Sequence, residues 1–135
     1  MKKLTIAVNT RFLLDQRLEG IGWFTYETLR RLVQWYPAYQ FIFFFDRPYH
    51  PRFVFGDNVT PVVLFPPARH PFLFYAWFEW SVARALNKYQ ADLFISTDGF
   101  LSLSTKVPTL LVIHDIAHVH FSNQVKYLEL SLIHI

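Results

Sequence analysis

The change of hydrophobic period across residues 4–36 limits the fold more than any other feature of this chain. Leu4-Thr5-Ile6-Ala7-Val8 is short, apolar and partly β-branched, the composition of a strand covered on both faces in a parallel sheet. From Ile21 the apolar positions recur at helical spacing through Phe24/Thr25, Thr28/Leu29, Leu32/Val33 and Tyr36, with Glu27, Arg30, Arg31 and Gln34 on the other side. The switch from strand to helix passes through Gly20-Ile21-Gly22. Two glycines at a helix start let the backbone come close to a ligand, and the unpaired amides there, with the helix dipole, favour an anion such as a phosphate. Such a strand, loop and helix open a nucleotide-handling α/β domain.

The rest of the chain repeats the alternation. Pro37 ends the first helix, and Gln40-Phe41-Ile42-Phe43-Phe44-Phe45 reads as a second buried strand closing at Asp46. Residues 47–58 carry Pro48, Pro51, Gly56, Asp57 and Asn58, the residues of a surface loop, with Phe53-Val54-Phe55 as a short extended piece. Residues 60–65 predict a third strand ended by Pro66-Pro67, and a second helix is expected over about 72–89. Along that helix Leu73, Trp77, Trp80, Ala83/Arg84 and Leu86/Asn87 make one stripe, while Phe74, Phe78, Val82 and Ala85 make another. Its first half is apolar nearly all round, so it must be buried or pressed against a partner or a membrane. Residues 91–96 and 109–113 predict the fourth and fifth strands, ending in Thr97-Asp98-Gly99 and His114-Asp115. The fold class expected is α/β, a Rossmann-like parallel sheet of about five strands with flanking helices.

With 135 residues the chain is about one domain. Its formal charge of +3, with the basic residues scattered, does not argue for nucleic acid. An anionic membrane surface or a phosphorylated ligand fits that balance. The absence of cysteine excludes disulfides and thiolate metal sites and fits a reducing cytoplasm. The apolar run after Lys2-Lys3 is too short for a signal-peptide core. No segment reaches the roughly 20 apolar residues that span a bilayer.

Ligands of open α/β sheets sit outside the carboxyl ends of the strands. The site is therefore expected where Asn9-Thr10-Arg11, residues 20–22, Asp98-Gly99 and His114-Asp115 converge. His114, His118 and His120 imitate a metal cluster, but an extended or turning segment would not bring all three together and no carboxylate or cysteine completes a set. No metal is expected. Each candidate also has an ordinary reading: a structural histidine at His114, a helix cap at Asp115, a tight turn at Gly20 and Gly22, and a turn former at Asp98.

Taken together in this order, Gly20-Ile21-Gly22-Trp23-Phe24-Thr25, Ala91-Asp92-Leu93-Phe94-Ile95-Ser96-Thr97-Asp98-Gly99-Phe100 and Val112-Ile113-His114-Asp115-Ile116 resemble the amino-terminal domain of glycosyltransferase family 4, retaining enzymes of GT-B fold. The resemblance covers roughly residues 4–122. It implies an acceptor-side domain over residues 1–122, with 123–135 the start of an interrupted continuation and a second, donor-binding domain absent from this chain. The implied activity is transfer of a hexose, with mannose the candidate, from a nucleotide-sugar to a polysaccharide or lipid-linked glycan. It needs no cofactor beyond the nucleotide-sugar co-substrate and no metal. By this likeness Gly20, Ile21 and Gly22 lie near the donor diphosphate, His114 contacts the transferred sugar, and Asp115 orients the loop or the histidine. Arg11, Asp98 and Gly99 then fall on the acceptor side. The implied location is cytoplasmic, with the inner face of the membrane as a candidate, and the fragment is expected to be inactive alone.

Two other readings compete. Gly20-x-Gly22 with Asp46 after the second strand imitates a dinucleotide-binding oxidoreductase domain, in which an acid holds the ribose. Against it, Thr25 stands where a third glycine is wanted and eleven residues separate Val8 from Gly20. The other is a non-catalytic, aromatic-rich module that uses the surface of residues 72–80 for a membrane or partner, with Trp77 as the residue to test on vesicles.

Overall fold

β1 (Thr5–Asn9) is apolar on both sides because both of its edges and both of its faces are covered. It pairs in parallel with β2 (Gln40–Phe45) on one edge and with β4 (Leu93–Ser96) on the other, with Ala7 opposite Ile42 and Phe94. β3 (Val59–Val63) adds outside β2, and β5 (Thr109–Leu111) outside β4. The five-stranded order is β3-β2-β1-β4-β5, every pair parallel. The computed structural model describes residues 3–14, 18, 20–68 and 70–113.

The helices lie on opposite faces, and the strand alternation shows why. Ile6, Val8, Phe41, Phe43, Phe45 and Ile95 point to one side, where they pack with Leu29 and Val33 of α1 (Gly20–Trp35). Ala7, Ile42, Phe44 and Phe94 point to the other, against Trp77, Phe78, Val82, Ala85 and Leu86 of the second helix. The excess of phenylalanine is thus largely core: the period-2 run in β2 alone supplies both faces. The domain is α/β and Rossmann-like, as its sequence periods predict.

Several boundaries differ from the sequence expectation. β3 stops at Val63, although the Leu64 amide still donates to the Phe45 carbonyl at 2.8 Å. The piece expected as extended over 53–55 begins inside a 3-10 turn at Pro51–Phe53, capped by the His50 Nδ1 accepting from the Arg52 amide at 3.0 Å. The second helix is three segments in succession: α2 (Pro71–Ala76), a π-helical stretch at Trp77–Val82, and α3 (Ala83–Lys88). Its wider central turns let Trp77 and Phe78 both face the sheet. The all-round apolar character does not bury the whole helix: Phe72 is 88% exposed and Trp80 69%.

α3 closes through a six-residue ring in which the Ala91 amide donates to the Leu86 carbonyl at 3.0 Å, with Gln90 in the left-handed region at φ 52°. That position favours glycine, since an L side chain there costs about 1–2 kcal/mol. Gln90→Gly is expected to raise unfolding free energy by about 0.5–1 kcal/mol, after the added freedom of the unfolded chain is deducted. A higher urea midpoint at unchanged slope is the measurement.

Candidate functional site

The strand order reverses between β1 and β4, and their carboxyl ends carry a cluster of buried polar residues. Asn9, Thr10, Ser96, Thr97 and Asp98 are all buried at the ends of otherwise apolar strands. Polar groups in such a place must be paired, and among the described residues no buried side-chain polar atom lacks a partner. Asn9 organises the cluster. Its Oδ1 accepts from the Arg11 amide at 3.2 Å, and its Nδ2 donates to Asp98 Oδ2 at 2.8 Å and Ser96 Oγ at 3.1 Å. The Thr10 amide and hydroxyl both donate to the Phe44 carbonyl, at 3.0 and 2.9 Å, turning the chain sharply off β1.

Arg11 and Asp98 then meet directly, with Nε 2.5 Å from Oδ2. The two side chains are 11% and 1% exposed. The other Asp98 oxygen accepts from the Phe100 amide at 3.1 Å and from Ser96 Oγ at 3.2 Å. The single Ser96 hydroxyl proton is shared between that oxygen and the Phe100 carbonyl. The Arg11 guanidinium lies 4.8 Å from the Phe12 ring centroid and 4.9 Å from that of Phe74, with Phe78 and Phe100 at 5.7 and 5.8 Å. Aromatic faces attract a cation, more strongly when water is excluded. Arg11 thus ties the loop after β1, the second helix and the loop after β4 into one body. Gly99 follows at φ 86°, a conformation that explains glycine there without a ligand.

The glycine pair at the start of α1 divides into two roles. A Cβ on Gly22 would come within 2.8 Å of the Phe12 carbonyl oxygen and 3.3 Å of Leu18 Cδ2, so packing of the β1–α1 loop requires glycine at that position. A Cβ on Gly20 would meet nothing within 4 Å. Gly20 is exposed at the first helical residue, and Ile21 beside it is half-buried. Thr25, one turn on, shares a 2.6 Å hydrogen bond with Thr97 and donates to the Ile21 carbonyl, which fixes the start of α1 over the end of β4.

The structure therefore brings together Asn9, Arg11, Asp98 and Gly99, with residues 20–22 secured beside them through Phe12 and Thr97. His114 and Asp115 lie outside the described residues, as do His118 and His120. Val112, two residues before His114, donates its amide to the Ser96 carbonyl at 2.9 Å.

No family model, curated protein or solved structure matches this chain.

Two further observations bear on what the site can hold. Asp46, at the end of β2, is fully buried, and its carboxylate accepts from the Ala68 amide at 3.1 Å and from Arg47 Nε and Nη2 at 2.9 and 3.0 Å. That hydrogen bonding raises the Arg47 guanidinium pKa above its ordinary value. Both oxygens are committed to the fold. Among the described residues no group of three or more His, Asp or Glu is placed to hold a metal ion, and no helix is long and apolar enough to cross a membrane.

Sequence reasoning left Ser96, Thr97 and Thr25 unassigned and named Asn9 only as a member of the converging loop. The signal for them is Asn, Ser, Thr and Asp closing strands whose other residues are apolar. Such residues have no reason to be buried unless they pair with one another.

Proposed function

We propose that this domain is the acceptor-side half of a retaining, nucleotide-sugar-dependent glycosyltransferase of GT-B type, working at the cytoplasmic side of a membrane on a polysaccharide or lipid-linked glycan. The observation that carries the reading is the buried polar cluster at the point of strand reversal, with the start of α1 and its open Gly20 fastened beside Arg11, Asp98 and Gly99. In open α/β sheets that is where ligands bind. Glycosyl transfer develops positive charge on the sugar and negative charge on the departing phosphate. Preorganised amides at residues 20–22 suit the phosphate, and an imidazole at His114, oriented by Asp115, suits the sugar. Gly20 and Ile21 are the residues free to approach the donor diphosphate, because Gly22 is explained by packing. On the acceptor side stand Arg11, whose guanidinium Asp98 holds in place, and Gly99.

The oxidoreductase alternative is weakened by Asp46, whose carboxylate is fully buried and already paired with Arg47 and the Ala68 amide. Saturation-transfer NMR on the chain tests the choice, with an oligosaccharide acceptor, nucleoside-diphosphate sugars and NAD as ligands. Contact to the saccharide with none to NAD is the expected result; NAD contact, or no contact with any of them, would overturn the proposal. Gly20→Ala sharpens the experiment. Its Cβ enters open space, so stability is expected to stay within about 0.5 kcal/mol, while any signal from the sugar diphosphate weakens several-fold.

A further inference from the structure

The outer side of the second helix has a composition and charge that neither the sheet nor the candidate site uses. Phe72 at 88% exposure, Trp80 at 69%, and Phe65 at 72% on the preceding loop stand out from the surface. Trp80 is followed at helical spacing by Arg84 and Lys88, both exposed. Between these cations and β3 lies a cleft of about 310 Å3, lined by Phe65, Ser81, Arg84, Lys88 and Tyr89 with Val62 at its wall. Phe65 belongs to both features, and the Ser81 hydroxyl donates to its carbonyl, so cleft and aromatic face are continuous.

The charge on this face is of one sign. Between residues 59 and 91 the only acid is Glu79, and its carboxylate is turned away to accept from the Leu103 amide at 2.7 Å. Among the described residues Arg84 and Lys88 have no carboxylate partner, and Lys88 lies 5.4 Å from the Tyr89 ring centroid.

We propose that this face docks on an anionic lipid bilayer, with Phe65, Phe72 and Trp80 entering the interfacial layer and Arg84 and Lys88 holding a lipid headgroup phosphate at the cleft. The amphipathic Trp80 ring favours the boundary between headgroups and acyl chains, the apolar rings of Phe65 and Phe72 lose water on entering it, and cations near the surface are drawn to anionic lipid. Isolated protruding rings suit a soft, deformable partner better than a rigid one. A second copy of the chain is disfavoured, since a two-fold contact through this face would bring its own cations together. The proposal goes beyond the transferase reading and stands without it.

Sedimentation with vesicles tests it. The chain is expected to pellet with phosphatidylglycerol–phosphatidylcholine vesicles, to stay in solution with phosphatidylcholine alone, and to be released by salt. Arg84→Gln with Lys88→Gln should weaken binding roughly thirtyfold, from the attraction of two surface cations for anionic lipid. Phe72→Ser with Trp80→Ser should also abolish most pelleting while the melting temperature is kept, because both side chains lie outside the core. Failure of the parent chain to pellet, equal binding to phosphatidylcholine alone, or unchanged binding by either double variant would overturn the assignment. So would a dimer in gel filtration that Phe72→Ser with Trp80→Ser dissociates, which would make the face a self-association surface.

Discussion

Asp98→Ala is expected to lower unfolding free energy by about 3–5 kcal/mol, the usual result of stranding one partner of a buried ion pair. Urea unfolding followed by circular dichroism is the measurement. The expected size comes from what remains: the Arg11 guanidinium stays 11% exposed among four phenyl rings without its counter-charge, and the Phe100 amide loses its acceptor. Against a typical total of about 5–15 kcal/mol such a loss is a large fraction. The two partners are not equivalent. Arg11→Met keeps an apolar side chain against the same rings and leaves Asp98 with Asn9, Ser96 and the Phe100 amide as donors. It is therefore expected to cost clearly less than Asp98→Ala. That ordering separates a residue that holds the cleft together from one that contacts a ligand: a saccharide signal lost in Arg11→Met at retained fold assigns the contact to Arg11. Equal costs for the two substitutions would mean that the pair is open to water in solution.

The elements were legible wherever one period dominated the local sequence. β2 has the predicted bounds because six residues alternate between two covered faces with Asp46 as a clear end. The start of α1 was marked by glycine, and its buried Thr25, Leu29 and Val33 follow the spacing. At β4 the predicted start at residue 91 is two residues early, since Asp92 is used as a clamp: its Oδ2 accepts from the Thr5 amide at 2.9 Å, and its own amide donates to the Thr5 carbonyl at 2.7 Å. The site was legible as a set of strand ends. Its internal wiring was not, because a hydrogen bond from Asn9 to Asp98 spans 89 positions and no local pattern records it. The division of labour between Gly20 and Gly22 was hidden for the same reason: what crowds Gly22 is a carbonyl ten residues earlier.

Trp77→Ala is expected to cost about 3–5 kcal/mol, the range for removing a fully buried tryptophan, whereas Trp80→Ala should remain within about 0.5 kcal/mol of the parent chain. These residues lie three positions apart in a stretch that carries two apolar stripes and is apolar on nearly every side. The π-helical turns at Trp77–Val82 settle the phase by carrying Trp77 inward together with Phe78 and Val82. Trp77 has no exposed surface, meets Phe78 edge-on at 4.8 Å, and its Nε1 donates to the Leu64 carbonyl at 3.2 Å. Truncation leaves a cavity against Ala7, Ile42, Phe44 and Phe94 and removes that donor from a carbonyl at the end of β3. Paired urea titrations of the two variants read the phase directly: a cost for Trp80→Ala as large as that for Trp77→Ala would mean that the whole stripe through Leu73, Trp77 and Trp80 faces the sheet instead. The same contrast corrects the choice of probe for the membrane question. A vesicle assay on Trp77→Ala would report a damaged core, whereas the exposed ring of Trp80 reports the lipid surface.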